Sequence, residues 1–141
     1  MLTINYYHWE LFPKAIIGLV QRIVRQTYRQ LKLSFPVSII IADQKTIKLL
    51  NYQYRQKNKV TDVLSFYYPE KKGYEEGEIY ICRQQLIRQA QERGVTVSYE
   101  ASKLVVHGLV HLAGYDHEKK KDYIIMEKLE EKLLKYFVHE F

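Results

Sequence analysis

From Glu100 to His117 the chain reads EASKLVVHGLVHLAGYDH. Leu104, Val105, Val106, Leu109, Val110, Leu112 and Ala113 recur too densely to line one face, so a helix here is apolar round most of its circumference and largely buried. Its one polar line is Glu100, Lys103, His107 and His111. Imidazoles four residues apart on a helix are separated by about 6 Å of rise and about 40° of rotation, so both reach one ion from the same face. A buried helix whose polar line carries two histidines is costly unless something satisfies them. Gly114 stands where it ends the helix in a left-handed turn, and the reversal lets His117 swing back as a third ligand. Three imidazoles with an open fourth position make a catalytic zinc arrangement rather than a closed structural one. Asp116, beside His117, reads equally as a turn former or as an acceptor that orients a ligand.

The remaining chain predicts the scaffold around this helix. Thr3 to His8 is β-prone, and Ile16, Leu19, Val20, Ile23, Val24, Tyr28 and Leu31 recur at helical spacing behind Pro13, predicting a helix over 13–31. Val37 to Ala42 is a β-branched apolar strand, and Asp43 caps a second helix through Ile47, Leu49, Leu50 and Tyr54. Arg55 to Asp62 reads as a polar, basic loop. Val63–Tyr68 and Glu78–Cys82 read as a hairpin joined by a long loop containing Pro69, Gly73 and Gly77. Helix returns from Arg83 to Arg93, stopped by Gly94, and the histidine helix starts near Ser98 as its cap. A last helix runs from about Lys120 to Phe137 and buries Met126, Leu129, Leu133 and Phe137. The order β-α-β-α-β-β-α-α-α predicts one α+β domain over 1–141. Its mixed four-stranded sheet packs with about five helices, of which the histidine helix is a zincin-like metal helix.

Composition narrows the function classes. With 141 residues, 47% hydrophobic and 27% charged, the chain has the make-up of one globular domain and not of a disordered segment. One cysteine, Cys82, excludes an internal disulfide and a Cys-based zinc knuckle, and fits a reducing compartment. No apolar run reaches membrane-spanning length, and MLTINYYHWE has no signal-peptide pattern, so no membrane partner and a cytoplasmic location are expected. Lys and Arg number 22 against 16 Asp and Glu, a formal charge of +6 that points to an anionic partner such as nucleic acid. Arg22, Arg25, Arg29 and Lys32 make one basic stripe on the first helix. With Lys57, Lys59 and Lys119 to Lys121 they are candidate phosphate-tracking charges flanking the histidine ion. Asp62, just before a strand, caps its loop or orients a ligand or Arg55. The 13 tyrosines offer stacking surfaces for unpaired bases, but most tyrosines in such a domain are packing residues, and none is assigned a site.

HxxxHxxGxxH reproduces the ligand frame of metzincin peptidases, whose pattern is HExxHxxGxxH. The residue after the first histidine is Gly108, so the glutamate that serves those enzymes as general base is missing. Glycine inside a helix costs about 1 kcal/mol relative to alanine, which points either to a close substrate or backbone approach or to tight helix packing. HGLVHLAGYDH, together with NYQYRQKNKVTDVLSF (51–66) and GEIYIC (77–82), closely resembles the YbeY family of ribosomal RNA maturation endoribonucleases, and Met126-Glu127 fits too. The resemblance implies a metal-dependent, single-strand-specific endoribonuclease of ribosomal RNA maturation and small-subunit quality control. Its implied partners are ribosomal RNA precursors, the small ribosomal subunit and assembly proteins. His107, His111 and His117 are implied to hold one zinc-like ion (nickel is the other candidate), and Arg55 to be the catalytic arginine. Asn58 stands where the family often has Asp, and Glu78 where Asp is usual after Gly77. Two other readings stay open: a zinc-dependent hydrolase of another substrate such as peptide, and a non-catalytic ribosome-assembly factor with a structural metal.

Overall fold

Val37, Ile39 and Ile41 are buried while Ser38, Ile40 and Ala42 are half-buried, so strand β2 (Val37–Ala42) is sealed more tightly on one face than the other. β2 pairs in parallel with β1 (Ile4–Tyr7) and with β4 (Tyr74–Cys82). β4 pairs antiparallel with β3 (Val63–Lys71), which gives the sheet order β1-β2-β4-β3 with β3 at an edge. The helices are α1 (Lys14–Gln30), α2 (Gln44–Arg55), α3 (Arg83–Arg93), α4 (Val97–Leu112) and α5 (Lys120–Leu134), with short 3-10 segments at Trp9–Leu11 and Lys135–Glu140. This is the predicted α+β architecture. The computed structural model describes residues 3–71, 74–115 and 120–141, without the side chains of 70 and 71. Gly73, Asp116, His117 and Lys119 therefore lie outside the described residues.

Two apolar layers explain why α4 is greasy all round. Ala101, Val105, Leu109 and Leu112 join Val37, Ile39, Ile41, Ile79 and Ile81 of the sheet and Val20, Val24 and Tyr28 of α1 in the main core. On its far side Val106 and Val110 meet Leu19 and Ile23 of α1 and Met126, Leu133, Leu134 and Phe137 of the C-terminal segment. The other sheet face is covered by α2, where Ile47 packs with Leu64 and Cys82. Burial pushes the Cys82 thiol pKa up, in keeping with a small packing residue rather than a nucleophile.

Several boundaries differ from the sequence reading, each for a local reason. α4 is capped by Thr96, whose hydroxyl accepts from Tyr99 N–H at 3.0 Å, so Ser98 already lies inside the first turn. Arg55 closes α2 instead of opening a loop, because Gln56 takes the left-handed C-cap conformation and returns its N–H to Tyr52. α5 stops at Leu134 and tightens into 3-10 geometry, which still buries Phe137. The hairpin strands are longer than predicted and absorb Pro69 and Gly77. Proline is tolerated in an edge strand. Gly77 makes room for a close approach: a Cβ there would lie 2.8 Å from Leu112 Cδ1 and 3.1 Å from Phe35 Cε2, which would have to shift.

Asp43 caps α2 as expected, its carboxylate accepting from Thr46 N–H at 2.8 Å. That backbone bond, and then the Thr46 side chain, hold its carboxyl below the ordinary carboxylate range. A depressed folded-state pKa contributes stability above the unfolded value of about 3.9 and loses it as pH falls through the folded value. Asp43→Ala is expected to melt below the parent protein at neutral pH. Part of that gap closes in melts taken below about pH 4, as the parent loses the charged form of its cap.

Candidate metal centre

Lys103, His107 and His111 are the half-buried positions along the middle of α4, one helical turn apart, while their neighbours are sealed. The two imidazoles stand edge-on, with ring centroids 4.7 Å apart and planes at 81°. His107 Nδ1 is 2.5 Å from Glu130 Oε1 on α5. Glu100, the fourth member of the expected polar line, is fully buried and takes no part. Both its carboxylate oxygens accept from Arg93, each at 3.1 Å.

α4 ends as its glycine predicts. Gly114 has φ +98, its N–H bonds the His111 carbonyl at 3.0 Å, and Tyr115 N–H bonds the Val110 carbonyl at 3.3 Å. This double closure is a Schellman motif, which turns the chain sharply just before residues 116–119. Gly108 faces the other way. A Cβ there would lie 2.9 Å from Ile79 Cδ1 and Cγ2, so tight helix–sheet packing, not a substrate, accounts for the glycine.

His107 and His111 share a cleft of about 180 Å³ with Arg55, Thr61, Asp62, Val63 and Ser65. Arg55 reaches it from the end of α2. Its Nη2–H donates to the Ser65 carbonyl at 3.2 Å, and its guanidinium carbon is 5.9 Å from the Phe66 ring centre. Ser65 also holds the strand to the helix through a long 3.4 Å contact from Oγ to the Gly108 carbonyl. Buried Asn51 shapes the loop behind Arg55, donating to the Lys59 carbonyl at 3.0 Å and accepting from Lys57 N–H at 3.2 Å. Asp62 Oδ1 accepts from Val63 N–H at 2.8 Å and from the Thr61 hydroxyl at 3.4 Å, so of its expected roles the loop cap is the one seen. A neighbouring cleft of about 210 Å³ shares Asp62, Val63 and His107 and extends to Lys103, Met126 and Glu127.

The basic stripe of α1 is placed differently from expectation. Arg22, Arg25, Arg29 and Lys32 are exposed, but none lines the histidine cleft. Arg22 pairs with Glu140 at 2.6 Å. Arg25 lines a cleft with Ile4 and Tyr6, at the β1 edge, whereas the histidine cleft lies on β3 at the opposite edge. Lys57 and Lys59 are exposed on the loop that follows Arg55. Glu78 lies on the α2 side of the sheet and accepts from the Tyr80 hydroxyl at 3.0 Å. Burial first, and then Glu78, push the Tyr80 phenol up to about 12, and the same causes raise Tyr68. The longer carboxylate at 78 therefore serves a tyrosine cluster away from the histidines.

Among the described residues no group of three or more His, Cys, Asp or Glu side chains converges to hold an ion. The two imidazoles nevertheless fit a nitrogen-preferring metal of the zinc class: they share one helix line and open to one cleft. Sequence reading missed Glu130. Its signal is an acidic residue four after Met126 and three before Leu133, on the inward side of α5.

A family model described as Endoribonuclease YbeY matches residues 4–138. The protein named Endoribonuclease YbeY in Ehrlichia canis (strain Jake) is 35% identical over 140 residues, covering 95% of this chain and 91% of the relative. One of the same name from Phytoplasma australiense is 37% identical over 120 residues, covering 82% and 83%. The solution structure of TM1509 from Thermotoga maritima superposes with a TM-score of 0.64 at 27% identity, covering 98% of this chain and 93% of that one. No helix among the described residues is long and apolar enough to cross a membrane.

Proposed function

The chain belongs to the YbeY family of endoribonucleases, and on that premise we propose that it cleaves single-stranded RNA at the cleft between α4 and β3, with a bound divalent metal. The observation that carries this reading is the meeting of Arg55 with His107 and His111 in one cleft, from elements distant in sequence. His107 and His111 would hold the ion, with His117 as the third ligand; zinc suits the imidazole donors best and nickel is the alternative. When bound, such an ion supplies Lewis-acid chemistry, withdrawing electron density from a phosphoryl oxygen.

The chain's own residues supply the rest. Phosphodiester cleavage builds negative charge on the non-bridging oxygens, and a guanidinium meets that charge with paired, permanently ionised donors. Arg55 commits one N–H to the Ser65 carbonyl, which anchors the side chain at the cleft. A guanidinium has five N–H donors, so others remain for phosphate. Lys57 and Lys59, next along the same loop, extend the positive surface toward the flanking backbone of the RNA. The orientation of Gly108 speaks against a metzincin-type peptidase, because a glutamate at this position would enter the sheet core and not the cleft. Ribosomal RNA precursors as substrate, with the small subunit and its assembly proteins as partners, follow from the family resemblance and form part of this proposal.

Arg55 provides the test. Arg55→Ala is expected to lower kcat/KM on a single-stranded RNA by about 10²- to 10³-fold, the usual cost of removing one preorganised donor. Arg55→Lys should recover only part of the loss, since ammonium lacks the paired planar donors. Melting temperatures should stay within a few degrees because Arg55 is exposed. Wild-type cleavage rates in a folded Arg55→Ala protein would contradict the reading.

A further inference from the structure

Most of the inward side of α5 is apolar. Met126, Leu133 and Leu134 pack against α1 and α4, and between them stands Glu130, its side chain only 13% exposed. A carboxylate at that depth is costly without a partner. Its partner is His107, with Oε1 2.5 Å from Nδ1. An ionised carboxylate only accepts, so opposite ionised Glu130 the hydrogen in this contact belongs to Nδ1, and in the neutral ring Nε2 then carries the lone pair.

We propose that Glu130 is a positioning residue for metal binding: it fixes the His107 tautomer and ring direction so that Nε2 is the donor presented with His111. The inference rests on the reading that His107 and His111 hold the ion. Carboxylates behind metal-bound histidines act in this way, raising ligand basicity and restricting the ring. The source of the carboxylate adds a consequence. Glu130 arrives on α5, so packing of Met126 and Leu133 on Val106 and Val110 brings the orienting group to the histidine. Docking of the C-terminal helix and metal affinity are then coupled.

Wild type, Glu130→Gln, Glu130→Ala and His111→Ala are compared in three measurements. Zinc affinity is taken by competition with a chromophoric chelator. The His107 tautomer is read by 15N NMR of metal-free protein, at a pH well above the ordinary histidine pKa of about 6.5. Thermal melts of the metal-free proteins report folding. Zinc binding is expected to weaken about 10- to 100-fold in Glu130→Ala. Glu130→Gln, which keeps an acceptor of the same shape, should fall between wild type and alanine and carries the comparison if Glu130→Ala does not fold. His107 should show protonated Nδ1 in wild type and shift toward protonated Nε2 in Glu130→Ala. Unchanged zinc affinity in a folded Glu130 variant, or wild-type His107 with protonated Nε2, overturns the proposal. Wild type that binds no zinc, or a His111→Ala protein that binds it as wild type does, overturns the metal reading beneath it, and this proposal falls with that reading.

Discussion

His111→Ala is expected to lower RNA cleavage by about a thousandfold or more while leaving the metal-free protein folded. A metal ion acting on the phosphoryl oxygen supplies several kcal/mol of transition-state stabilisation, and about 1.4 kcal/mol corresponds to tenfold in rate. Losing a ligand forfeits most of that. Stability should respond little, because His111 is half-buried on the open line of α4 and alanine is the better helix former by about 0.6 kcal/mol. His107→Ala should reduce cleavage as strongly. It should also lower the melting temperature, since Glu130 is left inside the α4–α5 interface without its partner. Steady-state cleavage of a labelled single-stranded RNA, alongside thermal melts, separates the two effects. A folded His111→Ala protein that cleaves at wild-type rate would remove the histidines from the mechanism.

The second large effect is on folding. Gly108→Glu restores the metzincin pattern on paper and is expected to abolish a cooperative melt without producing peptidase activity. The added Cβ would press at 2.9 Å on Ile79, a fully buried β-branched residue held between α4 and the sheet. Overpacking of this kind costs about 1–3 kcal/mol. An unpaired carboxylate forced into the same space adds about 3–5 kcal/mol, comparable to the whole stability of many domains. Gly108→Ala separates the contributions. It gains about 1 kcal/mol of helix propensity against the overpacking, so its melt should fall by no more than about 10 °C and stay cooperative. A Gly108→Glu protein that melts like wild type and cleaves casein would show that residue 108 faces the cleft after all.

The two described histidines were legible because helical spacing alone puts residues four apart on one line, and because the apolar residues around them left no other polar stripe. The Schellman turn at Gly114 was legible for the same local reason. Gly77 was misread as loop because a glycine that yields to Leu112 and Phe35 looks, in sequence, like one that turns the chain. Arg55 could be singled out from its basic neighbours by family resemblance only, since its distinction is the cleft it reaches. The α1 charges share a helix face, as their spacing says, but spacing cannot say that Arg25 lies by β1 while the histidine cleft lies by β3. Glu130 sits in MEKLEEKLL among acidic residues of similar appearance; its spacing from Met126 and Leu133 turns it inward, but spacing cannot say that His107 stands opposite it.

The central claim is that a metal ion at the α4 histidines is required for RNA cleavage, and removal and return of metal tests it most directly. Protein stripped with a chelator, verified metal-free by elemental analysis and shown by melting to remain folded, should lose cleavage of single-stranded RNA. Added zinc or nickel should restore it in wild type but not in His111→Ala. Undiminished cleavage by the verified metal-free protein would contradict the account.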